Sequence, residues 1–174
     1  PLLSVKGLKQ YFPVSKKFTV RAVDNISFDI YPGETYGLVG ESGSGKSTTG
    51  RSIIRLYDPT EGTILFNGED ISKKLTAKQE KMLRSDMQMV FQDPMASLNP
   101  HKKILDTIAM GLDAHHPHMD QNERVERVSK MMEMVGLNPA YMNRYPNQFS
   151  GGQRQRIGLG RALIMNPKLV IADE

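Results

Sequence analysis

The chain has 174 residues with no cysteine and no tryptophan, and 23 Lys and Arg against 19 Asp and Glu leave a net charge of +4. At about 100–200 residues per domain this is one domain with room for a sizeable core, and its 39% hydrophobic content argues against extensive disorder. Lack of cysteine excludes disulfides and thiolate sites within these residues, no apolar run is long enough to span a membrane, and the scattered basic residues read as a solvated surface rather than a nucleic-acid interface.

Residues 2–5 form a short apolar run, and Ile26, Phe28 and Ile30 alternate with polar neighbours as in a half-buried strand. Pro32-Gly33 marks a turn, and residues 35–39 form a second apolar strand candidate leading into the glycine-rich 40–45. A helix is expected from Lys46 to Leu56 or Tyr57, stopped by Asp58-Pro59-Thr60-Glu61-Gly62. Residues 64–66 with Asn67-Gly68 predict a strand and tight turn, and Thr76 with Gln79 predicts a capping box opening a helix to about Arg84.

Residues 87–91 are the next apolar run, and 93–100, with two prolines, read as loop. A helix is expected over 104–112, followed by a His115-His116-Pro117-His118 linker, which reads as solvated rather than as a metal site. Asp120 and Glu123 then open a helix whose apolar face is Val125, Val128, Met132 and Val135, ended by Gly136 and Pro139. Residues 145–149 read as irregular, Ser150 caps a helix through Ile164, and 168–174 read as a buried strand ending the chain. Strands and a glycine loop, a helical block, then helix and strand describe an α/β core with a helical insertion.

Gly40-Glu41-Ser42-Gly43-Ser44-Gly45-Lys46-Ser47 fits the phosphate-loop pattern G-x-x-x-x-G-K-[ST]. Glycines let backbone N–H groups turn inward around phosphate oxygens, and the following helix aims its positive end at the same anion. Lys46 supplies a full charge for the β and γ phosphates, Ser47 a hydroxyl for Mg²⁺, and Thr48 a further donor. Asp173 ends an apolar strand, as suits a residue holding the water shell of Mg²⁺, and Glu174 beside it can orient or deprotonate an attacking water.

Phe149-Ser150-Gly151-Gly152-Gln153, placed before a helix, resembles the signature motif of ATP-binding-cassette ATPases, with Phe149 where leucine is commoner. Gln92, after an apolar strand, resembles that family's Q-loop glutamine, which touches Mg²⁺ and the attacking water. Phe91-Gln92-Asp93-Pro94-Met95-Ala96-Ser97-Leu98-Asn99-Pro100 and Tyr145-Pro146-Asn147-Gln148 are similar to the oligopeptide, dipeptide and nickel importer branch.

The resemblance spans essentially the whole chain. It implies a P-loop NTPase core at 1–98 and 153–174, with a helical signature subdomain at 99–152. It implies ATP and Mg²⁺, with Ser42, Gly43, Ser44, Gly45, Lys46, Ser47 and Thr48 of one chain and Ser150, Gly151, Gly152 and Gln153 of another sandwiching the nucleotide. Ser47, Gln92 and Asp173 are the implied metal residues, and Glu174, Gln92 and Lys46 the catalytic ones. Tyr11 or Phe12 stacks on adenine, with register favouring Phe12.

Implied partners are a second nucleotide-binding subunit, transmembrane permease subunits and, indirectly, a solute-binding protein, at the cytoplasmic face of the cell membrane, with no nucleic acid. The alternatives are a non-transport ATPase of the same family acting on nucleic acid or the ribosome, and a phosphate-loop kinase. Only 57 residues separate Gln92 from Ser150, too few for an inserted coiled coil. The family pattern continues past the catalytic glutamate, so the expectation is a C-terminally truncated domain.

Overall fold

The two short strands expected near the start are the ends of far longer ones. In a computed structural model, which describes residues 1–173 apart from the side chain of Pro94, β1 runs Leu3–Ser15 and β2 runs Phe18–Ile30. They pair antiparallel from Leu3 opposite Ile30 to Ser15 opposite Phe18, with register shifts between Val5 and Leu8 and again near Gln10. Each shift exchanges the face a side chain takes, so the period-two apolar pattern survives only at the ends of the hairpin. β3, Glu61–Phe66, pairs with the other edge of β1. Asn67 and Gly68 then turn the chain with φ of 50° and 83° into β4, Glu69–Asp70, completing the order β2-β1-β3-β4.

The chain divides into two compact units, residues 1–83 and 84–174. In the first, α1 spans Lys46–Ile53 and packs on the sheet, where Ser52 Oγ donates to Gln10 Oε1 at 3.1 Å in a buried setting. Leu3, Leu8, Ile64 and Phe66 are fully buried.

α1 stops short of the expected Leu56 or Tyr57 because Arg55 turns into the left-handed region at φ 61°. Its guanidinium donates to the carbonyls of Ile71 and Lys73 and pairs with Asp58 at 2.6 Å. Residues 35–39, expected as a strand, lie in none, and Val39 is 93% exposed. Apolar extended residues become a strand only where another strand takes their backbone groups, and no described strand does so here. α2, Ala77–Asp86, opens with the expected capping box: Thr76 Oγ1 accepts from Gln79 N at 3.2 Å while Gln79 Oε1 accepts from Thr76 N at 3.1 Å.

In the second unit β5, Met87–Val90, lies parallel to β6, Leu169–Ala172. Of β6 only Leu169 is buried, whereas the whole strand was expected to be. The expected loop at 93–100 contains one helical turn, α3, Pro94–Ser97, because Asp93 caps it and proline suits a first helical position. The expected helix at 104–112 is two, α4, Ile104–Ile108, and α5, Met110–His115, separated at Ala109.

α6, Gln121–Met134, starts where Asp120 accepts from the N–H groups of Asn122 and Glu123, and buries Val128, Met131 and Met132. α7, Gly151–Leu163, supplies Ile157 to the same apolar cluster as Leu98, Ile104, Ile108, Leu112 and Phe149. Arg124 on α6 braces this cluster by donating to Asp113 at 2.7 Å and Asp106 at 2.9 Å, and these carboxylates hold its guanidinium well above its ordinary pKa.

Candidate functional site

The glycine loop of the first unit ends where α1 begins. Gly45 is the residue before the helix, at φ 93°, and no side chain caps that end. A Cβ at Gly45 would stand 2.2 Å from the Ala22 carbonyl oxygen, so close packing against β2 demands glycine there. With glycine at the N-cap, the start of α1 carries no capping side chain of its own, which suits an anion.

Lys46 curls back over the loop. Its Nζ donates to the carbonyls of Gly40 at 2.7 Å and Glu41 at 2.6 Å, acceptors that a phosphate can replace. Ser44 N donates to the Glu41 carbonyl at 3.2 Å and tightens the same turn. Ser42, Gly43 and Ser44 are exposed, whereas Ser47 and Thr48 are half-buried on the first turn of α1. Thr49, which sequence reasoning did not single out, is buried and donates from Oγ1 to the Gly45 carbonyl at 2.9 Å.

The two aromatic candidates occupy adjacent positions on β1, with Tyr11 opposite Arg21 and Phe12 opposite Val20. The Tyr11 hydroxyl donates to Asp24, which raises the phenol above its ordinary pKa, and the Arg21 guanidinium lies 5.4 Å from its ring centre. Phe12 meets Tyr57 edge to face, with ring centres 5.2 Å apart. Asp24, Arg21 and Tyr57 were invisible as partners in the sequence, because strand register and the end of α1 bring them in.

In the second unit, Val90 of β5 stands opposite Ala172 of β6, and Asp173 N donates to the Val90 carbonyl at 3.0 Å. Asp173 and Gln92 thus leave the same carboxyl end of two neighbouring parallel strands, the end at which open α/β sheets bind ligands. Glu174, expected beside them as a base, lies outside the described residues.

Ser150 caps α7: its Oγ accepts from Gln153 N at 3.2 Å, and Gln153 Oε1 accepts from Ser150 N at 2.9 Å. The expected nucleotide-reading side chains of Ser150 and Gln153 are therefore engaged with the helix start itself. Gly151 and Gly152 are exposed, and a Cβ on either would meet nothing within 4 Å. Among the described residues, intramolecular packing gives no reason for glycine at these two positions. Arg154 fixes the lead-in by donating to the Phe149 carbonyl at 2.6 Å, with Phe149 buried as leucine would be.

Comparison with known proteins places the chain in a family. The chain is 57% identical over 173 residues to the oligopeptide transport ATP-binding protein OppF of Bacillus subtilis, covering 99% of this chain and 56% of that protein. It is 50% identical over 175 residues to the dipeptide transport ATP-binding protein DppF of Lactococcus lactis, again covering 99% of this chain and 56% of that one. The chain thus spans little more than half the length of the curated relatives it matches.

Among solved structures, it superposes with a TM-score of 0.89 and 30% identity on the dimeric ATP-binding cassette MJ0796 in a post-hydrolysis state bound to ADP and Pi, covering 98% of this chain and 72% of that one. The fold is thus that of an ATP-binding cassette, a P-loop NTPase core. With the ABC transporter family model matching residues 23–174, this chain belongs to the ABC transporter family.

Proposed function

We propose that this chain binds and hydrolyses ATP as part of a subunit that energises import of peptides or a related small solute across the cytoplasmic membrane. The observation that carries the reading is the glycine loop. It combines a left-handed Gly45 wedged against β2, an uncapped start of α1, and a lysine folded over carbonyls that phosphate oxygens can displace. Kinship to transport ATP-binding proteins supports the choice of importer over a nucleic-acid or ribosome ATPase.

In this reading Lys46 leaves Gly40 and Glu41 for the β and γ phosphates, while loop N–H groups hold the remaining oxygens. Phe12, or Tyr11, stacks on adenine. Ser47 hydroxyl, Gln92 amide oxygen and Asp173 carboxylate are each a hard oxygen donor of the kind Mg²⁺ takes, and the family resemblance assigns each of them to that ion. When bound, Mg²⁺ neutralises charge developing on the transferred phosphoryl group. Glu174 takes the proton of the attacking water, and Gln92 orients that water.

The exposed Gly151 and Gly152 face the nucleotide of a second, similar subunit, so two chains share two nucleotides. Residues 99–152 act as the helical subdomain, and 1–98 with 153–174 as the nucleotide-binding core. The segment after Gln92 faces the permease, at the cytoplasmic side of the membrane, and a solute-binding protein delivers the cargo.

The test is nucleotide titration and ATP turnover of the native subunit. Lys46→Ala abolishes ATP binding, and Glu174→Gln retains binding but loses turnover. Unchanged binding in Lys46→Ala refutes the cradle, and Mg²⁺-dependent turnover surviving Glu174→Gln refutes that residue's role.

A further inference from the structure

Between Gln92 and the buried Leu98 the chain makes a single helical turn, too short to be stable alone. It is fixed at both ends by side chains. At the start, Asp93 Oδ1 accepts from Met95 N at 2.8 Å and Ala96 N at 3.2 Å. At the end, Arg161 Nη1 donates to the Ser97 carbonyl at 2.5 Å across 64 residues of sequence. Arg161 belongs to the last turn of α7, the helix that Ser150 caps.

The guanidinium is half-buried, and among the described residues no carboxylate pairs with it. Burial pushes its pKa below the ordinary arginine value. A desolvated cation facing a carbonyl is costly where an apolar side chain would fill the space, so its value lies in the bond it makes. Between the two fixed ends, Met95 is 53% exposed.

We propose that Arg161 is a positioning residue, tying the turn that follows Gln92 to the helix that Ser150 caps so that force on the exposed Met95 turn reaches both. The tie acts as a strut. α7 has 13 residues, a rigid rod of about 20 Å, with Ser150 at one end and the Ser97 contact near the other. A permease segment seated on Met95 thereby moves Gln92 and the glycines at 151 and 152 in concert. This rests on the importer reading above.

The experiment uses the native subunit assembled with its permease, and compares Arg161→Met with Arg161→Lys. Arg161→Met lowers solute-stimulated ATP turnover by about tenfold or more, the lower end of what one hydrogen bond from a charged donor is worth, and leaves the KM for ATP within about twofold. Arg161→Lys, which can still donate to a carbonyl, recovers much of the stimulation. In the same samples Arg161→Met speeds amide hydrogen exchange across 92–98 and leaves 46–53 unchanged.

Unaltered exchange at 92–98 overturns the tie. Faster exchange with full stimulation overturns its coupling role. Loss that lysine does not rescue and that raises KM in step marks a merely structural arginine. If the wild-type assembly shows no solute-stimulated turnover, the importer reading fails, and exchange at 92–98 still decides the tie. Should Arg161→Met not fold, Arg161→Gln and Arg161→Lys carry the same exchange measurement.

Discussion

Gly45→Ala separates the backbone demands of the loop from its phosphate chemistry. At φ 93° an alanine is strained by about 1–2 kcal/mol. Its Cβ would also stand 2.2 Å from the Ala22 oxygen, where real contacts stay beyond 3.0 Å, so the loop or β2 must shift by close to an ångström. β2 resists, because the adjacent Val23 is buried in the sheet core. The loop moves instead and re-aims its N–H groups.

Loss of one hydrogen bond to a charged phosphate is worth about 1.5–3 kcal/mol, so ATP affinity falls by roughly 10- to 100-fold. Gly43→Ala is the control: it has φ 79° but open space around its Cβ, so it carries the backbone strain alone. Titration with a fluorescent ATP analogue, alongside thermal unfolding of each variant, gives both quantities. Equal effects of the two substitutions, or binding by Gly45→Ala within twofold of wild type, would show that the Ala22 contact does not shape the cradle.

Leucine substitution at Phe12 and at Tyr11 identifies the adenine platform, since the ring that stacks loses about 1–3 kcal/mol of ATP affinity and the other little. Loss at neither position removes both from the site. Asp24→Asn returns the Tyr11 phenol toward its ordinary pKa, because the acceptor that stabilises the protonated hydroxyl is weakened; an ultraviolet pH titration of wild type and variant reads the shift. Arg124→Met removes three bonds to Asp106 and Asp113, and because both carboxylates are near half exposed the expected loss is about 1–3 kcal/mol, seen as a lower unfolding midpoint with ATP affinity unchanged.

What could be read without coordinates was what short-range chemistry dictates. The order Gly40 to Ser47 specifies a loop and helix start through steric freedom and one charge. The box at Thr76–Gln79 specifies a helix start because donor and acceptor lie three residues apart, and Ser150 specifies another as a cap, its reciprocal bond from Gln153 appearing only in the structure. Asp120 and the apolar spacing after it place α6 for the same reason.

Long-range pairing decided the rest. The β1–β2 hairpin is hidden because its register shifts erase alternation over its middle. Residues 35–39 have the composition of a strand, but a strand exists only through a neighbour, and no described strand pairs with them. Gln92 and Asp173 are far apart in sequence, and only the parallel pairing of β5 with β6 brings them to one end of the sheet. The turn after Gln92 is fixed by an arginine 64 residues beyond Ser97. Sequence alone reaches the local pattern of a glycine loop running into a helix start, because its groups are neighbours along the chain. Tertiary structure decided which distant groups share a strand end or a tether, because a hydrogen bond between remote residues depends on the path of the whole chain between them.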